Sequence, residues 1–185
     1  MDRRELADAL AESLLGDALD PDELDRIAGQ GSVREAAGGE VLREEGERGD
    51  TLMVVLDGRV EVVKGDKHGH RHVLVTLERG AILGELSLLS GTPATATLRA
   101  AGPGRLFELD RDHFESLLSA GDPAANRLLL AIARELALRL KRMNDAALAV
   151  CEEYEDELAK AGHERTDARV SHLSAFRDQL AQLSF

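Results

Sequence analysis

The residues best suited to chemistry lie in a short segment that begins with Gly84, Glu85 and Leu86. A glycine followed by an acidic residue and an apolar run predicts a helical turn, whose first backbone N–H groups have no partner within the helix. These donors and the helix dipole favour an anion in front of the turn. The Glu85 carboxylate would accept hydrogen bonds from a sugar hydroxyl, or serve only as an acidic residue that the dipole stabilises.

A Gly-Thr-Pro corner and a predicted strand follow this turn, so that residues 80–100 form one continuous pattern. The pattern resembles the phosphate-binding cassette of cyclic-nucleotide-binding domains, as in the catabolite activator family and the regulatory subunits of cyclic-AMP-dependent kinases. The resemblance implies a buried arginine after the proline, whose planar fork holds the ring phosphate. This chain has Ala94 at that position. The absence of the arginine predicts that the phosphate binds more weakly, by about tenfold to several hundredfold.

The remaining pocket residues implied by the resemblance are Gly84, Glu85, Leu86 and Thr95. By strand alternation, Thr95 and Arg99 share the face opposite Ala94, so we do not expect Arg99 to replace the missing side chain. We therefore expect a vestigial or altered pocket with no bound cofactor. Binding of an uncharged or larger ligand is the alternative that the sequence leaves open.

A change from helical to two-residue periodicity after residue 31 predicts a sheet domain around this segment. Turn signals follow at regular spacing, including Asp57-Gly58, residues 65–69 and residues 102–104, each predicted to close a hairpin. The fold class is predicted as α+β, an antiparallel β-roll (jelly roll) of about eight strands with helices at both ends. The strands assigned from the sequence are 32–37, 40–44, 51–56, 59–64, 71–77, 95–101 and 105–109.

Four segments are predicted along the chain. Residues 1–19 hold an N-terminal helix (2–15) that Gly16 ends, and residues 20–121 hold the β-roll, with a helix that Asp20 caps and a later one that Asp110 caps. Residues 122–161 form a long helix opened by Asp122-Pro123, and residues 162–185 form a further amphipathic helix. The resemblance extends over residues 20–142, where stretches 39–42, 45–50 and 57–60 also fall in family order.

The long helix carries an apolar stripe at spacings of three, four or seven residues, which is typical of a helix that pairs with another helix. In the related family, the matching helix joins two subunits as a parallel coiled coil. We therefore predict a homodimer; the alternative is packing of the helix onto its own β-roll alone. The predicted dimer residues are Leu129, Ile132, Leu136, Met143, Ala147 and Val150.

Composition restricts the classes of function. The net charge of −12 argues against broad nucleic-acid binding, which needs a basic face. No apolar run approaches the roughly 20 residues that span a bilayer, so no membrane association is expected. The single cysteine, Cys151, excludes an intramolecular disulfide and favours the cytoplasm. Abundant arginine and alanine suggest a bacterial source.

His68, His70 and His72 alternate along a predicted hairpin, and imidazoles on one strand face can bind zinc or nickel. No cysteine or carboxylate appears in spacing with them, and Lys67 and Arg71 add positive charge. The sequence therefore favours a solvated hairpin tip and no metal site. Nucleophile-elbow, P-loop and paired-carboxylate patterns are also absent from the sequence, so no enzyme activity is expected.

Three hypotheses about function follow. The first is a stand-alone regulatory or scaffold protein with a degenerate nucleotide pocket that acts through protein–protein interaction. The second is a true cyclic-nucleotide or other small-ligand sensor that repositions the long helix. The third is a transcription regulator, which the sequence disfavours because the final segment does not read as a winged helix-turn-helix.

Overall fold

The structure, a computed structural model, describes residues 1–160. The chain divides into two compact units: the first is Met1–Ile132, and the second begins at Ala133. All strands and the candidate ligand site belong to the first unit. The predicted helix 162–185 lies outside the described residues, and the predicted division into four segments stays a prediction.

Within residues 1–160, eight strands form two antiparallel sheets of four strands, which confirms the predicted α+β fold with its β-roll. The first sheet has the order β1-β8-β3-β6 and the second has the order β2-β7-β4-β5. The strands are β1 (Ser32–Ala36), β2 (Val41–Arg43), β3 (Thr51–Asp57), β4 (Val60–Gly65), β5 (Arg71–Leu77), β6 (Ile82–Leu83), β7 (Thr97–Ala100) and β8 (Gly104–Asp110).

The helices lie before, within and after the β-roll. They are α1 (Arg3–Ala11), α2 (Leu14–Ala18), α3 (Pro21–Ala28), α4 (Glu85–Ser90), α5 (Arg111–Ser119) and α6 (Pro123–Lys160). Asp20 caps α3 through a reciprocal capping box, as predicted. Asp110 stands at the N-cap of α5, but its side chain makes no capping hydrogen bond, contrary to the prediction. Among the described helices, none is long and apolar enough to cross a bilayer.

The prediction of one N-terminal helix over residues 2–15 is wrong, because the chain breaks between α1 and α2. Ser13 starts α2 by accepting a hydrogen bond from the Leu15 N–H at 3.1 Å. Gly16 lies inside α2 rather than ending a helix, and a Cβ there would overlap the Ala11 carbonyl oxygen. The glycine is therefore needed for the close approach of the two short helices.

Two of the three predicted hairpins are also wrong. Asp57-Gly58 carries the chain from β3 in one sheet to β4 in the other, and residues 102–104 carry it from β7 to β8 in the same way. The two turns pack against each other, since a Cβ on Gly58 would lie 2.8 Å from the Pro103 carbonyl oxygen. A register shift before Asp57 bends β3 into the corner. The third hairpin, β4–β5, is confirmed.

Aliphatic side chains from both sheets fill the space between them. Burial of such side chains is the main stabilising contribution in a domain with so few aromatic residues. Val62 packs against this core, and Val75 lies opposite it on the edge strand β5. Val73 and Val75 nonetheless remain 48% and 45% exposed, so the inner face of the β-roll is open at β5. The core residues are Ala36, Leu42, Met53, Val55, Val60, Leu83, Leu98, Ala100 and Leu106.

A buried carboxylate holds the start of α6 against α3. Glu23 is 3% exposed and accepts hydrogen bonds at its Oε2 from Arg127 Nη1 at 2.8 Å and from the Asp20 N–H at 3.0 Å. Leu128 and Ile132, on the following turns of α6, are fully buried. The first turns of the long helix therefore belong to the core of the first unit.

Replacing Arg127 with Met should destabilise this unit because it leaves the Glu23 carboxylate buried with one fewer donor. We expect a loss of about 1–2 kcal/mol in the free energy of unfolding, measured by urea denaturation. The matched control is Arg4→Met, at an exposed position of α1, which should change stability by less than about 0.5 kcal/mol. Equal losses in the two variants would contradict the role of the ion pair.

Candidate ligand site

The predicted helical turn is present as α4, with a glycine at each end. Gly84 has a φ of +78° and lies against β3, where a Cβ would overlap the Thr51 carbonyl oxygen. Gly91 has a φ of +70°, and its N–H donates to the Ser87 carbonyl oxygen at 2.9 Å. Gly84 thus lets the chain turn from β6 into the helix while touching the neighbouring strand.

Glu85 and Leu86, the next two predicted site residues, have opposite environments. Glu85 is 5% exposed in the first turn of α4, where the free amides and the dipole favour a carboxylate. Leu86 is 43% exposed. The burial of Glu85 fits both roles considered for it, a sugar ligand and a helix-end carboxylate.

The corner that contains Ala94 and Thr95 is joined to the loop of residues 44–50. The Ala94 N–H donates to the Glu47 carbonyl oxygen, and the Ala94 carbonyl accepts from the Gly46 N–H, both at 2.8 Å. The Thr95 carbonyl oxygen accepts a hydrogen bond from Lys64 Nζ. The corner is therefore built by backbone hydrogen bonds that do not depend on the side chain at position 94.

The same loop also contacts α4. Gly49 lies so close to Ser87 that a Cβ would overlap the serine side chain. Arg111 Nη2 donates to the Gly49 carbonyl oxygen at 3.1 Å and to the Ser87 carbonyl oxygen. Loop 44–50 therefore connects the two halves of the predicted site, the start of α4 and the Ala94 corner.

A cavity of about 330 Å³ lies beside this loop, at the end of the β4–β5 hairpin. Thr97 Oγ1 donates to Glu44 at 3.3 Å and accepts from the Glu45 N–H at 3.0 Å. The nearby cations are paired with the two carboxylates, Lys64 with Glu45 at 2.6 Å and Arg71 with Glu44 at 3.9 Å. The predicted site residues do not line this cavity. Its walls are Glu44, Glu45, Val63, Gly65, Gly69, Arg71 and Thr97.

Residues 33–120 match the family model of the cyclic nucleotide-binding domain. The chain is 33% identical over 117 residues to a cAMP-dependent protein kinase regulatory subunit from Blastocladiella emersonii, a match that covers 63% of this chain and 29% of that protein. It is 32% identical to the N-terminal domain of a transcriptional regulator from Streptomyces coelicolor, with a TM-score of 0.63, covering 75% of this chain and 94% of that structure.

Residues 33–120 therefore form a cyclic nucleotide-binding domain. A regulatory subunit of a cAMP-independent protein kinase A from Trypanosoma cruzi, solved with guanosine, is 27% identical, with a TM-score of 0.58 and coverage of 72% of this chain and 50% of that one. Matches to three curated relatives span only 28–34% of their lengths. The comparisons therefore identify a domain that occurs in regulatory subunits and, in one relative, in an acetyltransferase.

In this cyclic nucleotide-binding domain, Arg99 is committed to another partner. Its Nε and Nη2 donate to Glu61 Oε2 on the neighbouring strand β4, at 3.0 and 2.7 Å. These two bonds tie the guanidinium to Glu61, whose carboxylate offsets its charge. The geometry thus agrees with the expectation that Arg99 does not replace the arginine missing at position 94.

Arg43 is a candidate site residue that sequence reasoning missed. Its Nη1 donates to the Arg48 carbonyl oxygen at 3.1 Å and lies against Gly49, on the same side as Ser87 of α4. Its Nε is buried and lacks a hydrogen-bond partner among residues 1–160. A register shift between Val41 and Arg43 sets the course of this strand. Strand alternation alone does not reveal such a shift, so the sequence offers no signal for the position of Arg43.

The histidines of the β4–β5 hairpin have a carboxylate beside them, which corrects the sequence interpretation. Asp66 Oδ2 lies 3.1 Å from His70 Nδ1 and 3.1 Å from His72 Nε2. The hydrogen bond from His72, together with the His70 and His68 amides, holds the pKa of the Asp66 carboxyl below its usual value. His68 stands apart from this trio.

Substitutions at the two ends of α4 should separate backbone preference from steric contact. Gly91→Ala places a Cβ in open space and should cost about 1 kcal/mol, the penalty for a positive φ. Gly84→Ala has the same penalty and in addition displaces the β3 backbone, so we expect a loss of about 3 kcal/mol or more. Urea denaturation measures both, and equal losses would contradict close packing of Gly84 on Thr51.

Proposed function

We propose that this chain is a regulatory protein in which a cyclic nucleotide-binding domain has lost family-type phosphate binding and acts as a dimer through protein–protein interaction. The observation that carries the proposal is Ala94. A ring phosphate bears a full negative charge, and its transfer from water into a protein cleft is costly without a paired cation. Alanine at this position has no group that can supply that charge.

The charges around the corner support the same proposal. Hydrogen bonds from the Lys64 ammonium and the Gly65 amide hold the pKa of the Glu45 carboxyl below its usual value, so this group is ionised at neutral pH. Glu44 and Glu45 add two carboxylates to the cavity wall. Because these carboxylates are paired with Lys64 and Arg71, neither cation is left uncompensated to balance the charge of a bound anion.

The exposed face of α6 in the second unit supports dimerisation. From Ala133 onward, apolar residues follow an unbroken heptad spacing, which is the pattern of a two-stranded coiled coil. Leu140, Met143 and Val150 are each more than half exposed, whereas Ile132 is buried in the first unit. The proposed seam consists of Ala133, Leu140, Ala147 and Tyr154 at one core position and Leu136, Met143 and Val150 at the other.

A second candidate is a sensor for a ligand without a phosphate. The open inner face at Val73 and Val75 would accept an apolar ring, and the buried Arg43 Nε would donate to an acceptor on it. The related Trypanosoma cruzi subunit was solved with guanosine, a nucleoside without phosphate. A nucleoside is therefore the ligand class to test. Neither candidate assigns a catalytic role to the chain.

Calorimetric titration with cAMP, cGMP and guanosine distinguishes the two candidates. We expect a dissociation constant for either cyclic nucleotide weaker than about 0.1 mM, because Ala94 supplies no cation for the ring phosphate. The variant Ala94→Arg should tighten cAMP binding by at least about tenfold. Thr92→Arg, on the exposed part of the same corner, is the matched control and should change nothing.

Micromolar cAMP binding by the unaltered chain would contradict the proposal that the pocket is degenerate. Micromolar guanosine binding without cAMP binding would favour the sensor. In that case Arg43→Met should weaken guanosine binding by about tenfold, since a buried hydrogen bond is lost, while Arg48→Met, at an exposed side chain, should not.

The dimer is tested by a pair of leucines two residues apart. Leu140 lies in the proposed seam and is 54% exposed, whereas Leu138 lies off the seam and is 57% exposed. Leu140→Glu would bury a charge between the two helices and should weaken dimerisation by about 2 kcal/mol or more. Leu138→Glu should leave it unchanged. Sedimentation equilibrium measures both, and a dimer that survives Leu140→Glu would show that the seam lies elsewhere.

A further inference from the structure

Three potential metal ligands meet at the tip of the β4–β5 hairpin. The ligand atoms are Asp66 Oδ2, His70 Nδ1 and His72 Nε2, and all lie within 4.8 Å of one another. The carboxylate oxygen is 3.1 Å from each imidazole nitrogen. All three side chains are on the outside of the hairpin, where His70 and His72 are exposed.

These separations resemble those within a tetrahedral metal site. Bonds of about 2.0–2.2 Å from zinc to nitrogen and oxygen place neighbouring ligand atoms about 3.3–3.6 Å apart. The two Asp66–imidazole distances are within a few tenths of an ångström of that spacing. The two imidazole nitrogens lie within 4.8 Å of each other, so a closer approach of these side chains would bring all three atoms around one ion.

The hairpin holds Asp66 in place for this role. Asp66 Oδ1 accepts hydrogen bonds from the His68 and His70 amides at 2.8 and 2.9 Å, which leaves Oδ2 directed at the two imidazoles. Gly69, with a φ of +86°, allows the tight turn between them. The carboxylate is therefore positioned by the backbone before any ion binds, which reduces the entropy lost on binding.

The neighbouring cations are drawn to the other side of the hairpin. Arg71 lines the cavity and faces Glu44, whereas Lys64 reaches Glu45 and the Thr95 carbonyl on the β7 side of β4. The positive charge that appears to crowd the histidines in the sequence is thus matched by carboxylates in the structure. Lys67 is also exposed at the tip and takes no part in these pairs.

We propose that Asp66, His70 and His72 form a binding site for a divalent transition-metal ion of the zinc class. Two imidazoles and a carboxylate suit Zn²⁺, and the same set would accept Ni²⁺ or Cu²⁺. Water would complete the coordination because the site is open to solvent. The ion would also brace the hairpin whose Gly65, Gly69 and Arg71 line the cavity on its inner side.

The test is calorimetric titration of the tag-free full chain with Zn²⁺, and with Mg²⁺ as the hard-ion comparison. We expect one Zn²⁺ per chain and no heat from Mg²⁺, which prefers oxygen ligands. His70→Ala, His72→Ala and Asp66→Asn should each weaken Zn²⁺ binding by about tenfold or more. The matched controls are His68→Ala, on the same tip, and His113→Ala, on α5, which should alter it by less than about threefold.

Circular dichroism of each variant establishes that the fold is retained, as expected for substitutions at an exposed tip. The Co²⁺ absorption spectrum gives a second readout, because visible bands appear when imidazoles enter the coordination sphere and should vanish in His70→Ala and His72→Ala. Absence of Zn²⁺ binding, or binding that persists in all three ligand variants, would overturn the proposal.

Discussion

The contacts of loop 44–50 are the constraint on which the candidate site depends. Its backbone pairs with Ala94 on one side, and Gly49 packs against Ser87 of α4 on the other. Arg111 ties the two together by donating to both the Gly49 and Ser87 carbonyl oxygens. Because these bonds use main-chain groups and Arg111, the frame of the site does not depend on the side chain at position 94.

That separation explains how the fold can be kept when the pocket changes. The side chain at position 94 takes no part in the hydrogen bonds that build the corner, so its replacement has little effect on folding. Glu85, by contrast, is buried in the first turn of α4, where the helix dipole stabilises it with or without a ligand. The fold of this region is therefore independent of whether position 94 can bind an anion.

Sequence patterns predict the β-roll well, because period-two alternation and glycine turns are local properties. These patterns fail where contacts between residues distant in sequence determine the path of the chain. Asp57-Gly58 has the signal of a hairpin, but a bend in β3 and the contact of Gly58 with the Pro103 turn send β4 into the other sheet. The roles of Arg43 and Asp66 are not predicted for the same reason. The neighbours of each depend on a bulge or a turn that composition does not reveal.

The first turns of the long helix α6 and its later turns differ in burial. Its first turns bury Leu128 and Ile132 in the first unit and are fixed there by the Glu23–Arg127 pair. Beyond Ala133, Leu140, Met143 and Val150 are each more than half exposed and follow the heptad spacing that an interface between helices requires. The Glu23–Arg127 pair therefore accounts for the packing of the first turns of α6 only, and the residues beyond Ala133 take no part in it.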